Sequence, residues 1–213
     1  LTTINTLEYL KKYFKKNTKV IFTSSSAIYG KTNKRIDENT EKKNPESNYG
    51  FMKLASEIYL SNISKQFNFK VFIFRFPNVI GPNLTHGLLF DMINKILRKN
   101  SYIQVLGNGK QQKPYSHVSE IINCILYFKN KKFKKNLNFF NIGTDDNGVK
   151  VKYIVNKMVK KFKSSKKIIY EKKKFGWIGD VPQYKYSTRK IRNLGFKFKL
   201  SSKEAVNITI DNI

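Results

Sequence analysis

Two short apolar runs, Val20-Ile21-Phe22 and Val71-Phe72-Ile73-Phe74, flank a long stretch of helical periodicity, and no other feature constrains the fold as much. Runs without polar alternation are what strands buried on both faces look like, and a helix between them makes parallel pairing the natural outcome. The connecting helix is predicted over about Tyr49 to Phe67, with Leu54, Ile58 and Ile63 inward. A loop containing Asp37, Glu38, Asn39 and Pro45 precedes it. Ahead of the first strand, Ile4, Leu7, Leu10, Tyr13 and Phe14 recur at helical spacing, so an amphipathic helix is expected to open the chain. The alternation implies an α/β protein with a parallel sheet covered by helices.

After Gly81-Pro82 the pattern changes. Helices are predicted over Leu88 to Leu97, Val118 to Phe128 and Tyr153 to Phe162, with extended segments at Tyr102 to Leu106, Phe139 to Ile142 and Ile168 to Tyr170. Ser201 and Glu204 stand at capping-box spacing and mark the start of a last helix. Residues 81–213 are expected to form mainly a smaller C-terminal α/β unit, with the segment 115–145 returning to the sheet of residues 1–80. A doubly wound domain ordinarily begins with a strand and a glycine-rich phosphate turn. Here the first strand comes near Val20, no G-x-G-x-x-G is present and the first residue is Leu1, so the chain reads as the later part of something longer.

Composition narrows the function classes. No apolar run approaches the roughly 20 residues of a membrane span, so no membrane role is expected. The one cysteine, Cys124, rules out an internal disulfide and fits a reducing cytoplasm; its apolar neighbours make it a buried structural thiol. The net charge of +28 invites a nucleic-acid reading. Against that reading, the lysines are scattered among many Asn, Ile, Phe and Tyr, as an AT-rich genome would encode, and no nucleic-acid motif accompanies them. No Cys/His cluster has metal-ligand spacing, so no metal is expected.

The residues that carry chemistry are Ser25, Tyr49 and Lys53. Tyr49 and Lys53 are four apart, so a helix sets them on one face. A tyrosine ordinarily titrates at about 10, and its use as a base near neutrality requires about 4 kcal/mol of help. An ammonium about 4 Å away contributes on that order at an effective dielectric near 20. Ser25 ends the preceding strand, where a parallel sheet presents residues to its ligand crevice.

Y-x-x-x-K alone arises by chance in any lysine-rich helix, with a surface tyrosine packed on a lysine stem as the plain alternative. The blocks around it make the pattern specific. Thr23-Ser24-Ser25-Ser26-Ala27-Ile28-Tyr29-Gly30 precedes it, and Tyr49-Gly50-Phe51-Met52-Lys53 is followed by Phe74-Arg75-Phe76-Pro77-Asn78-Val79-Ile80-Gly81-Pro82. Gly107 to Val118, Asn141-Ile142-Gly143, Gly179-Asp180-Val181-Pro182 and Leu194-Gly195-Phe196 continue the series. In this order they resemble the extended short-chain dehydrogenase/reductases, specifically the NAD-dependent epimerase/dehydratase family.

The resemblance implies a partial Rossmann-like sheet lacking its N-terminal glycine-rich segment, and bound NAD as cofactor. It also implies a nucleotide-diphosphate sugar as substrate, as in UDP-glucose 4-epimerase-like enzymes working through a keto-sugar intermediate. Ser25, Tyr49 and Lys53 would form the catalytic set. Ser24, Tyr49, Lys53 and Pro77 would contact the cofactor, and Ser25, Asn78, Lys113 and Asp180 the substrate. Arg75 belongs to the block that lines these sites. A homodimer through the helix bearing Tyr49 and Lys53 is implied too, and a separate chain could carry the N-terminal half. Lys113 stands where the family has a phosphate-binding arginine, Trp177 replaces another arginine, and Ser119-Glu120 keeps one carboxylate of an acidic pair. His117 is implied to be structural, His86 is read as a loop residue, and Asp145-Asp146 as a solvated turn. The competing readings are an inactive truncated remnant and a basic nucleic-acid-binding module.

Overall fold

The computed structural model describes residues 2–13, 18–31, 35–40, 42–174, 176 and 185–213. The chain opens with α1 (Thr2–Leu10), β1 (Lys19–Ser25), β2 (Arg35–Ile36), α2 (Asn48–Phe67), β3 (Lys70–Phe76) and β4 (Asn78–Ile80). Then come α3 (Leu88–Leu97), β5 (Tyr102–Val105), β6 (Gln112–Lys113), β7 (Tyr115–His117), α4 (Val118–Asn130) and β8 (Leu137–Asn141). The last part holds β9 (Val149–Lys150), α5 (Val151–Lys161), β10 (Lys167–Tyr170), β11 (Lys185–Tyr186), α6 (Arg189–Asn193) and α7 (Ser202–Asp211).

Strands β1, β3 and β8 form a parallel sheet in that order, with Val20 beside Val71 and Ile73 beside Phe139. Alternate side chains of β3 serve two cores, because a strand sends successive residues to opposite faces. Phe72 and Phe74 pack with Ile121, Cys124 and Phe128 of α4 and with Phe140. Val71 and Ile73 pack with Leu7 of α1 and with Leu60 and Ile63 of α2. The central strand is therefore apolar from Val71 to Phe74, as the sequence reading required. Among the described residues, no strand pairs with the outer edge of β1 or of β8.

A further core joins α3, β5, α5 and α7 through Met92, Ile103, Ile154, Met158 and Val206. Here β5 and β10 run parallel, and the capping box of Ser201 and Glu204 starts α7 as expected. The short pairs β4–β7 and β6–β9 connect this region to the ends of the sheet strands.

Two inward assignments are corrected. Ile58 is 57% exposed, because α2 turns Gly50, Glu57, Leu60, Ile63 and Ser64 inward instead. The stripe is set one residue earlier because the Glu57 carboxylate has a buried partner on β3. Near the start of the chain, among the described side chains, Leu7 is buried, while Ile4 and Tyr13 are exposed; Phe14 lies outside the described residues.

Candidate active site

The site is built at the junction of β1 and α2. Ser25 ends β1 and caps a short 3-10 turn over Ser26–Tyr29, its Oγ accepting from the Ala27 N–H at 3.1 Å. This is the carboxyl end of a parallel strand, where such sheets meet their ligands. The Ser47 side chain caps α2 by accepting from the Gly50 N–H, satisfying one of the first-turn donors. Tyr49 stands in that first turn with 56% of its surface exposed. Gly50 allows the helix to press onto the turn after β1, since a Cβ there would sit 2.6 Å from the Ala27 carbonyl oxygen.

One helical turn on, the Lys53 ammonium donates to the Thr23 carbonyl at 2.7 Å. It lies 5.0 Å from the centroid of the Phe22 ring and 5.7 Å from that of Tyr49. Burial against these groups lowers the Lys53 pKa from its ordinary value. The ammonium thus ties α2 to β1 and sits beside the tyrosine ring.

Beneath this junction lies a buried polar network that the sequence reading missed. Glu57, four residues after Lys53, accepts from Ser24 Oγ at 2.5 Å and takes two bonds from Arg75, at 2.9 and 2.6 Å. Arg75 also donates to the Tyr29 hydroxyl at 2.8 Å, and Tyr29 donates to Asn141 Oδ1 at 2.8 Å. The Asn141 N–H donates to Glu38, and the Tyr186 hydroxyl donates to the Arg75 carbonyl. One network therefore links all three strands of the sheet to α2 and to the turn after β1. The only trace of it in the sequence is a carboxylate one helical turn beyond Lys53.

Arg75 requires a correction. It is 2% exposed and engaged by Glu57, so its guanidinium faces inward and lines no ligand site. Ser24 is fully buried and its hydroxyl belongs to Glu57. Pro77 is buried against Gly143, whose Cβ would meet the proline ring at 2.9 Å. Asn78, on β4, donates to the Pro114 carbonyl at 3.1 Å, which brings it next to Lys113 on β6. Gly148 packs against the Lys113 backbone, where any Cβ would stand 2.1 Å away. Asp180 and Trp177 lie outside the described residues.

The remaining candidates are structural. His117 caps α4 by accepting from the Ser119 N–H, and His86 is exposed beside Thr85. Asp145 is paired with Arg35 and Arg192, and Asp146 accepts from Ser202 and Gly148. The two carboxylates are exposed, yet they anchor loops rather than face solvent alone. Cys124 is buried, which pushes its thiol well above the usual range. Among the described residues, no three His, Cys, Asp or Glu side chains are placed to hold a metal ion, and no helix is long and apolar enough to cross a membrane.

Parallel strands covered by helices on both faces, with polar groups gathered at a strand's carboxyl end, define a Rossmann-like α/β protein. The chain belongs to the NAD dependent epimerase/dehydratase family, whose model matches residues 1–143. Human dTDP-D-glucose 4,6-dehydratase is 25% identical over 198 residues, covering 91% of this chain and 55% of the human protein. UDP-glucose 4-epimerase of Mycoplasma genitalium is 31% identical over 148 residues, covering 59% of this chain and 43% of that one. A crystal structure of UDP-galactose 4-epimerase superposes with a TM-score of 0.84 at 26% identity, over 99% of this chain and 67% of that one. UDP-glucose 4-epimerase of Thermotoga maritima, solved with UDP-glucose, gives 0.80 at 27% identity, over 98% of this chain and 67% of that one. The chain spans about half the length of the curated relatives it matches.

The residues present fit the nicotinamide end of NAD. An exposed phenol and a half-buried ammonium meet at the carboxyl end of β1. A glycine-rich turn for the diphosphate is absent from this sequence.

Proposed function

We propose that this chain is the catalytic and substrate-binding part of an NAD-dependent nucleotide-sugar epimerase or dehydratase of the UDP-glucose 4-epimerase type. One observation carries the reading: the Lys53 ammonium is hydrogen-bonded to the Thr23 carbonyl at the end of β1 and lies 5.7 Å from the Tyr49 ring. Bound NAD supplies reversible oxidation at a sugar carbon. Tyr49 takes the proton of the hydroxyl on that carbon and returns it when the keto sugar is reduced. Lys53 stabilises the phenolate by its charge and holds the nicotinamide ribose, with Pro77 against the ring. Ser25 donates to the sugar oxygen, where it offsets the developing charge. Asn78 and Lys113 hold the nucleotide diphosphate, Lys113 as a point charge without an arginine's fork, and Asp180 contacts the sugar.

The adenosine-diphosphate end of the cofactor needs a glycine-rich strand-turn-helix, and the open edge of β1 can receive its strand. That segment, preceding this one or on a separate chain, completes the enzyme. A homodimer is favoured by α2, where Phe51 and Ile58, seven apart and so on one face, are 61% and 57% exposed.

The test is interconversion of UDP-glucose and UDP-galactose by this chain supplied with the glycine-rich segment. Tyr49→Phe is expected to lower turnover by about 10²–10⁴-fold, the range for a positioned acid–base group. Unchanged turnover in Tyr49→Phe would remove the proposed role.

A further inference from the structure

A cavity of about 630 Å³, broadly open to solvent, lies beside the outer edge of β8, on the opposite side of the sheet from β1. Three elements wall it: the turn holding Asp37, Glu38 and Asn39, the segment Phe133 to Lys135, and α6 with Arg189, Lys190 and Asn193. In β8 the backbone of Asn136 and Ile142 bonds to β3, so Leu137, Phe139 and Asn141 turn theirs outward. Two side chains cover part of that edge. Lys190 donates to the Phe139 carbonyl at 2.5 Å and Glu38 accepts from the Asn141 N–H at 2.8 Å.

The charges around the cavity are unbalanced. Among the described residues, the side chains of Lys134, Lys135 and Arg189 have no ion pair or hydrogen bond, although Asp37 and Glu38 line the same cavity. Lys190 is held half-buried, 4.8 Å from the centroid of the Phe140 ring. Burial lowers its pKa first; Glu38 opposes that effect, while Arg75 and Lys135 add to it by repulsion. Burial and the repulsion of Arg75 and Lys135 thus act against the Lys190 charge, in a hollow that Lys134 and Arg189 also line. An anion placed there would relieve both effects.

The volume is several times that of a bare anion and falls in the range of small-molecule sites. Arg189 offers a planar fork suited to phosphate oxygens. Asp37 Oδ1 accepts from the Asn39 N–H and Glu38 Oε1 from the Asn141 N–H, and the acceptor capacity that the two carboxylates keep suits hydroxyl or amino groups on the rest of a ligand. We propose that this cavity is a second ligand site, separate from Ser25, Tyr49 and Lys53, that takes a phosphate ester of a polyhydroxy compound.

The experiment is calorimetric titration of the intact chain with glucose 6-phosphate at moderate salt. Inorganic phosphate and glucose are titrated in parallel. Saturable one-to-one binding of glucose 6-phosphate is expected, tighter than phosphate, with none for glucose. Among the described residues Lys135 and Arg189 have no side-chain hydrogen bond or ion pair, so the double variant Lys135→Ala/Arg189→Ala should stay folded, checked by circular dichroism. It is expected to weaken binding by about tenfold or more, equivalent to about 1.4 kcal/mol. Lys99→Ala/Lys173→Ala removes the same charge from exposed positions elsewhere and should leave affinity within about twofold. Absence of saturable binding would overturn the proposal. So would equal weakening in both double variants, which would mean attraction by the overall charge alone, or inorganic phosphate binding as tightly as the ester.

Discussion

Glu57 and Arg75 are 3% and 2% exposed and hold each other through a bidentate pair. A buried charge left without its partner costs about 3–5 kcal/mol, so Glu57→Ala should lower stability by that amount in urea denaturation. Replacing both residues by apolar ones of similar size should cost less than the sum of the single changes. Additive losses would mean that the two charges do not act as a pair. Tyr29 gives a pH prediction. Burial is the main cause that pushes its phenol up to about 12, with Arg75 and Asn141 acting in the opposite direction. The folded state therefore keeps this proton where the unfolded chain has lost it. The contribution is fully present below about pH 10 and is lost as pH rises from about 10 to 12, on the order of 2–3 kcal/mol. Tyr29→Phe should flatten that part of the stability curve, and a slope unchanged by the substitution would contradict the assignment. The positions of Ser25 at the end of β1 and of Tyr49 and Lys53 on α2 were legible in the sequence because strand end and helix spacing fix them locally. Arg75 was misread because its partner, Glu57, lies 18 positions away and no periodicity announces the bond.

At the scale of elements, the approach of α2 to the turn after β1 depends on Gly50. A Cβ there would stand 2.6 Å from the Ala27 carbonyl and 3.0 Å from the Pro45 Cβ. Gly50→Val should cost about 1–3 kcal/mol through overpacking and should reduce turnover of the completed enzyme, because it pushes the first turn of α2, which carries Tyr49, away from the turn after β1. Thermal denaturation beside a turnover assay reads both effects, and a variant that retains both would contradict the packing argument. The exposed face of α2 makes a second prediction. Ile58→Lys should convert a dimer to monomer in light scattering after size-exclusion chromatography, and an unchanged mass would exclude this face as the interface. Long elements were readable from the sequence: α2, α3 and α5 match their periodic stretches closely. The pairs β2–β11, β4–β7 and β6–β9 were not, because two or three residues carry no period and their partners are distant in the chain. The position of Ile58 was missed for a related reason, since a buried carboxylate rather than an apolar residue sets the inward stripe of α2.

For the whole molecule, the sheet of the described residues ends on one side at β1, whose Val20, Ile21 and Phe22 are only half-buried. An apolar strand of a parallel sheet ordinarily has neighbours on both edges. The proposed completion by a glycine-rich segment accounts for this edge and for the chain spanning about half of its relatives' length. Fluorescence titration with NADH should therefore find weak binding by this chain alone and much tighter binding with the segment supplied. Tight binding by the chain alone would contradict the completion. The central claim is that the Tyr49 phenol and the Lys53 ammonium work as one proton-transfer unit at the end of β1. A double-mutant cycle on UDP-glucose turnover by the completed enzyme tests it most directly, with Tyr49→Phe, Lys53→Met and the two combined. Residues acting as a unit give strongly non-additive losses. The account predicts that the combined variant is little worse than Tyr49→Phe alone. Losses that multiply, or a Lys53→Met variant with unaltered turnover, would contradict it.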